Sequence, residues 1–307
     1  MRHYSRYDTR IIFPAGHLPL FAIVLTSLKN QTGFWLIAQL KTGLTIHNLR
    51  KALADLIDGF LRIELWSTMG MQEIHDRYRR SMLGPFWLTI SLGVMVLALG
   101  LLYAGILRQE VGDYLPYVAA GFTVWGLISG LILDGTRSFI ASESLIRQLP
   151  GPLSLHVYRV LWTNLIIFAH NIWVYIITAL IFSINPGWNV FYIIPGLLAV
   201  LINGLWIGVL FGLIGARFRD VPQIIASVVQ LAFFLTPIIW RPEMLTGREF
   251  IMTGNPFYHL VEIVRSPLLG QAPTPEQWLS VLSITIVGWF ITLVFYTVYR
   301  WRIAYWV

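Results

Sequence analysis

The chain contains no cysteine. That removes disulfides, thiolate metal sites and thiol nucleophiles together, and leaves the redox compartment open. Charge is the second shortage. Asp, Glu, Lys and Arg make up 12% of the 307 residues, where a soluble globular domain carries about 25%. A chain this poor in charge cannot cover a water-facing surface, and it needs an apolar solvent such as a bilayer. Lysine is scarcer still: Lys29, Lys41 and Lys51 are the only three, and none follows a glycine. A phosphate-cradling loop needs Gly-Lys followed by Ser or Thr. This chain is therefore expected to bind no nucleotide itself, and any ATPase that energises it is a separate chain. The spacings His-Glu-x-x-His and Gly-x-Ser-x-Gly are also missing, and His156 and His170 stand alone. No metal site, resident cofactor or catalytic residue is expected.

What the sequence does have is apolar length. Hydrophobic residues reach 56%, and mean hydropathy is +0.67. A membrane span needs about 20 apolar residues. Six segments approach that, near residues 85–107, 114–133, 157–182, 193–215, 224–239 and 278–299, the fifth being short. The expected fold is an all-α integral membrane protein with six transmembrane helices. Placing both termini on one side puts 18 of the 22 Lys and Arg there, leaving Arg108, Arg241, Arg248 and Arg265 opposite. Basic residues gather on the cytoplasmic side, so both ends are expected in the cytoplasm. The same rule accounts for the net charge of +7, and no basic groove with interleaved aromatics points to nucleic acid.

Residues 1–70 read as a cytoplasmic or interfacial extension and 71–307 as the transmembrane domain. Leu18–Leu28 is too short to span, and no clear cleavage site follows it. In Leu49–Leu65, apolar Leu49, Leu53, Leu56, Ile57, Phe60 and Ile63 recur at helical spacing. Arg50, Lys51, Asp55, Asp58, Arg62 and Glu64 take the opposite face. Such a helix either lies flat in the membrane interface or packs on a partner. Within the spans no acid or base stands far from an end. Asn164, His170, Asn171 and Asn203 are the polar groups there, suited to inter-helix hydrogen bonds or to substrate contact.

Four stretches carry more specific information. Asp76–Trp87, DRYRRSMLGPFW, is basic and turns at Gly84-Pro85 into the first span. Asp134–Leu149 continues the second span into a short helix before Pro150, Gly151 and Pro152. Ala216–Asp220, ARFRD, is a charged turn after the fourth span. The proline-broken stretch Trp240–Gln277 includes Asn255–Gly270, NPFYHLVEIVRSPLLG. Irregular backbone at membrane depth is tolerated only where protein buries it or water reaches it, which marks a pore mouth.

Their order, with Thr236–Trp240 (TPIIW), resembles the ABC-2-type permeases that export polysaccharides such as O-antigens, teichoic acids and capsules, over about Met71 to Val307. The resemblance implies a homodimer, each chain meeting one nucleotide-binding ATPase that holds ATP and Mg, in the inner membrane, moving a lipid-linked polysaccharide. It implies that Glu143, Arg147 and Gln148 face the ATPase. Arg77, Arg79, Arg80 and Trp87 would form the amphipathic interface helix and the approach to the first span. Short re-entrant helices between the fifth and sixth spans would carry an outer gate with Trp240, Asn255, Pro256, Tyr258, Glu262 and Arg265. Tyr103, Phe122, Trp125, Phe233 and Phe234 are the candidates for a lining on which sugar rings stack; interfacial aromatic belts are the alternative. Three other classes remain open. A small-lipid or drug exporter shares the fold. A glycan-lipid transferase would need acids such as Asp76 and Asp134. An ion-coupled carrier would need a mid-depth ionisable group, for which His170 is the candidate.

Overall fold

The computed structural model describes residues 44–79, 84, 86–244 and 250–307. The expectations on Leu18–Leu28, Arg80, Pro85 and Arg248 lie outside the described residues. Every regular element among the described residues is helical.

Among the described residues two helices come first, α1 (Ile46–Leu61) and α2 (Ile63–Tyr78). Then follow α3 (Phe86–Ile106) and α4 (Val111–Arg137). A single turn, Ile140–Ser142, leads to α5 (Glu143–Gln148), α6 (Leu155–Ile181) and α7 (Ile193–Arg217). The remainder comprises α8 (Val221–Leu235), the turn Pro242–Met244, α9 (Phe250–Thr253), α10 (Pro256–Leu268), α11 (Pro275–Tyr299) and α12 (Ile303–Trp306).

Among the described residues five helical stretches are long and apolar enough to cross a membrane, the fourth starting at Gly187 and the fifth ending at Trp306. The remaining expected span is shorter than the sequence suggested. Helix α8 has 15 residues, about 22 Å at 1.5 Å per residue. It stops at Leu235, and Thr236 is already extended, as favoured for a residue before proline, here Pro237. The expected helix to residue 239 is thus corrected to a helix followed by the non-helical segment Thr236–Trp240.

Helix α4 is the axis of the bundle. Of its apolar window 83% is buried, against 17% for α3, which leaves the apolar residues of α3 on the outside. Helices α3, α6, α7, α8 and α10 all pack against α4. Its closest neighbour is α7, and the sequence explains the approach. Gly204, Gly208 and Gly212 recur every fourth residue, so one stripe of α7 has no side chains and the backbones can meet. A Cβ on Gly135 of α4 would lie 2.9 Å from the Gly208 Cα. Gly135→Val is therefore expected to force α4 and α7 apart and to destabilise by about 1–3 kcal/mol, the usual range for overpacking. Thermal unfolding in detergent, with Gly126→Val, which meets open space, as the control, checks this.

Caps set the outer elements. Asn255 accepts the Phe257 N–H at 3.0 Å with Pro256 in the first turn of α10. Thr274 and Gln277 form a reciprocal capping box at the start of α11, with Pro275 at its first position. Both are strong start signals in sequence.

The face assignment in α1 needs a correction. Leu53, Ile57 and Phe60 are exposed, as a stripe facing lipid or a partner would be, but Asp55 is buried at 5% exposure rather than solvated. The reason is what lies opposite it, described below.

Candidate functional site

At the α8 end of the bundle the backbone of Thr236–Trp240 is non-helical, so its carbonyls need donors. The surrounding helices supply them. The Tyr114 hydroxyl donates to the Ile239 carbonyl. The Tyr117 hydroxyl lies 2.9 Å from the Pro237 carbonyl and 3.0 Å from that of Trp240. Arg265 donates to the Pro237 carbonyl as well, and the Asn255 amide reaches Thr236 Oγ1 at 3.1 Å. Arg265 is fully buried. It pairs with Glu262 one turn earlier, and its guanidinium sits 4.2 Å from the Tyr117 ring centroid. The second Glu262 oxygen accepts from Ser266 Oγ at 2.7 Å. Burial alone would lower the Arg265 pKa; Glu262 and the facing Tyr117 outweigh it and raise it, so the guanidinium stays charged. Of the residues expected at the outer gate, Asn255, Glu262 and Arg265 converge on the chain break. Trp240 belongs to that break, its indole donating to the Phe234 carbonyl at 3.2 Å. Pro256 opens α10, and Tyr258 is half-buried on that helix. Tyr114 and Tyr117 were not anticipated. Their spacing of three on one helix face is the signal that could have found them.

Next to this clamp is an aromatic layer. Phe233 lies 5.6 Å from Phe122, 5.8 Å from Trp125 and 5.3 Å from Phe234, and Trp125 is 5.8 Å from Phe257, all by ring centroids. These are ordinary spacings for edge or tilted aromatic packing. Phe122 and Trp125 are buried while Phe234 is 64% exposed. The structure thus joins four of the five expected lining residues into one stack, with Phe234 at its open end. Tyr103 is half-buried on α3, outside the stack.

The other end of the bundle holds the short helix α5. Glu143 and Arg147 pair at 2.9 Å, and Glu143 lies 3.8 Å from Arg219 of the charged turn. Arg147 donates through Nε to the Val307 carbonyl at 3.0 Å. The expected contact residues are therefore braced by α12 and by the α7–α8 turn, while Gln148 and Leu149 are exposed. The segment after α5 is held by Asp55. Its carboxylate accepts the N–H groups of Leu153 and Ser154, each at 3.0 Å, the Tyr296 hydroxyl at 2.6 Å and Arg300 at 2.8 Å. Ser154 Oγ donates back to the Asp55 carbonyl at 2.6 Å. One carboxylate so joins α1, the start of α6 and the end of α11. Nearby, Arg77 pairs with Glu73 at 3.3 Å, and Glu73 also reaches Arg159 of α6 at 3.4 Å. Trp87 is exposed at the start of α3, and Arg79 ends α2.

Of the four polar groups named within the spans, Asn164 and Asn203 bridge helices, while Asn171 Oδ1 is buried without a partner among the described residues. Asn164 donates to Asp134 at 3.1 Å and Asn203 to Thr285 at 2.8 Å. His170 bonds the Ile166 carbonyl of its own helix. Among the described residues no cluster of His, Asp and Glu could hold a metal.

A profile of the family described as ABC-2 type transporter matches residues 64–269. Three curated relatives are each named O-antigen export system permease protein RfbA. The one from Myxococcus xanthus is 21% identical over 220 residues, 70% of this chain and 85% of that protein. Two from Klebsiella pneumoniae are 21% and 22% identical, covering 70% and 73% of this chain and 83% and 86% of theirs. With a matching profile over most of its length and helices of spanning length, the chain belongs to the ABC-2 type transporter family and is a multi-pass membrane permease subunit rather than an enzyme.

Proposed function

We propose that this permease moves a polysaccharide, lipid-linked as synthesised, from the cytoplasm across the inner membrane, as a homodimer driven by a separate ATPase. Six crossings complete the membrane domain, with α8 and the extended Thr236–Trp240 together forming the short fifth. Both termini are cytoplasmic, in keeping with the placement of basic residues. The observation that carries the reading is the clamped chain break beside the aromatic stack. A glycan is polar, flexible and too long to enclose, so it needs a hydrated path ending in irregular backbone. The clamp supports such backbone where α8 ends, and Phe234 offers a ring face beside it. The relatives' names supply the substrate class.

In this reading ATP binds the partner chain, and closure of the paired ATPases moves α5. Glu143, Arg147 and Gln148 receive that motion, and their bracing against α12 and Arg219 passes it to α11 and α7. Arg77, Arg79, Arg80 and Trp87 anchor the approach to the first span at the membrane surface. Tyr103, Phe122, Trp125, Phe233 and Phe234 border the path, and the clamp with Trp240, Asn255, Pro256, Tyr258, Glu262 and Arg265 forms its outer gate.

Deleting the gene is expected to abolish surface display of the organism's exported glycan while the lipid-linked polymer accumulates inside; display that persists overturns the reading. Replacing Glu143 and Arg147 together by Ala is expected to reduce co-purification of the ATPase at least tenfold, on the order of 1.4 kcal/mol. A complex recovered in undiminished yield would remove α5 from the contact.

A further inference from the structure

Beside the clamp lies a cavity of about 350 Å³, formed where α4, the Pro242–Met244 turn, α10 and the start of α11 meet. In a chain with so few charges its lining is unusual. Asp113, Arg241, Glu243, Glu262, Gln271 and Gln277 border it, together with Tyr117 and Tyr258.

Several of these groups already have partners. Glu262 is held by Arg265 and Ser266. The Gln277 carbonyl caps α11 through the Thr274 N–H at 2.9 Å. Tyr117 uses its hydroxyl on the chain break and its face on Arg265. Others do not. Arg241 donates through one terminal nitrogen to the Asp113 carbonyl at 3.1 Å, yet its Nε is buried with no partner among the described residues. A buried donor without an acceptor costs about 1–3 kcal/mol, which an acceptor on a ligand would recover. Asp113, Glu243 and Gln271 border the cavity with exposed side chains, open to a ligand.

Arg241 also lies over the Tyr117 ring at 5.4 Å, so the groups open to a ligand are its Nε, two carboxylates and one amide, with the half-buried Tyr258 ring beside them. Ring hydroxyls are donor and acceptor at once, and planar carboxylates, amides and guanidinium match adjacent hydroxyl pairs. Phosphate or sulfate would meet more negative than positive charge. Once Glu262 is set against Arg265, Asp113 and Glu243 outnumber Arg241, so the described lining carries an excess of one negative charge.

We propose that this cavity is a saccharide subsite for one uncharged or cationic sugar unit of the exported chain, and that it disfavours uronic acids and phosphorylated sugars. This rests on the glycan-export reading and adds a position and a charge preference to it. The subsite would hold the emerging chain beside the gate between strokes, so that the polymer does not slide back.

The test uses the permease with its ATPase in lipid nanodiscs and saturation-transfer NMR, with mannotriose and trigalacturonate as probes. Mannotriose is expected to show transfer that Glu243→Ala with Gln271→Ala abolishes; both residues are exposed, so the fold is undisturbed. Trp188→Ala, 86% exposed and outside the cavity, is expected to leave the transfer intact. Trigalacturonate is expected to bind at least tenfold more weakly, since like charges oppose association, and to gain when Asp113→Asn is combined with Glu243→Gln. Mannotriose transfer that survives the double alanine variant, or equal binding of both trimers, overturns the subsite. Gene deletion tests the export reading separately. If surface glycan is lost on deletion but mannotriose ignores the double variant, only the subsite falls; if surface glycan persists, the export reading falls.

Discussion

Arg265→Ala is expected to cost about 3–5 kcal/mol of stability, the range for breaking a buried ion pair from one side. The side chain is fully buried, and three groups depend on it. Glu262 would keep one hydrogen bond, from Ser266, and lose its counter-charge. The Pro237 carbonyl would keep only the Tyr117 hydroxyl. Tyr117 would lose the nearer of the two cations over its ring and keep Arg241 at 5.4 Å. Unfolding of the detergent-solubilised protein measures the loss. Arg265→Lys separates charge from shape, because an ammonium cannot fork to a carboxylate and a carbonyl in one plane. It is expected to recover less than half of the lost stability. The paired change Glu262→Leu with Arg265→Met removes both charges, and such replacements are often near neutral. Stability is then expected to return while glycan export stays low, because the clamp on Pro237 is gone. Export that returns along with stability would show that the pair serves packing alone.

The membrane helices were legible because an apolar run of about 20 residues needs no partner to declare itself. The short helix α5 was legible for a related reason, since Pro150, Gly151 and Pro152 stop it locally. Glu262 and Arg265 could be read as neighbours from their spacing of three on one helix. Their shared target, the Pro237 carbonyl, could not, because it belongs to a segment whose non-helical form depends on the donors around it. The end of α8 shows the same limit: Ile238 and Ile239 are as apolar as any spanning residue, and Pro237 with the Tyr114 and Tyr117 hydroxyls decides against the helix. Phe122 and Trp125 are buried against Phe233, a partnership that their places in the sequence do not announce. Periodicity says which residues share a face, not whether that face meets water, lipid or another helix.

Asp55 is the clearest case of a residue whose role lies outside its own helix, and Asp55→Ala is expected to have an effect comparable to that of Arg265→Ala. By spacing it belongs to the charged face of α1. Its partners come from positions about 100 and 240 residues away, which no local pattern can reveal. The loss would fall on Arg300, which forfeits its carboxylate at 2.8 Å, on the Tyr296 hydroxyl, and on the N–H groups of Leu153 and Ser154. Those two N–H groups lie at the start of α6, where the helix dipole favours a negative charge. A cost of about 2–4 kcal/mol follows from the N–H and hydroxyl donors left without an acceptor, Arg300 being 26% exposed and able to turn to water, and Asp55→Asn should fall between wild type and Ala because it keeps an acceptor without the charge. A double-mutant cycle of Asp55→Ala with Arg300→Ala isolates the pair, and a coupling below about 0.5 kcal/mol, the level expected of independent sites, would overturn its assignment. Stability alone does not capture the position of this carboxylate, which ties the segment after α5 to the end of α11. If α5 receives the ATPase stroke, Asp55→Asn is expected to leave ATPase association intact and to lower the glycan exported per ATP hydrolysed. A variant that exports less only in proportion to the folded protein remaining would assign Asp55 to architecture rather than to transmission.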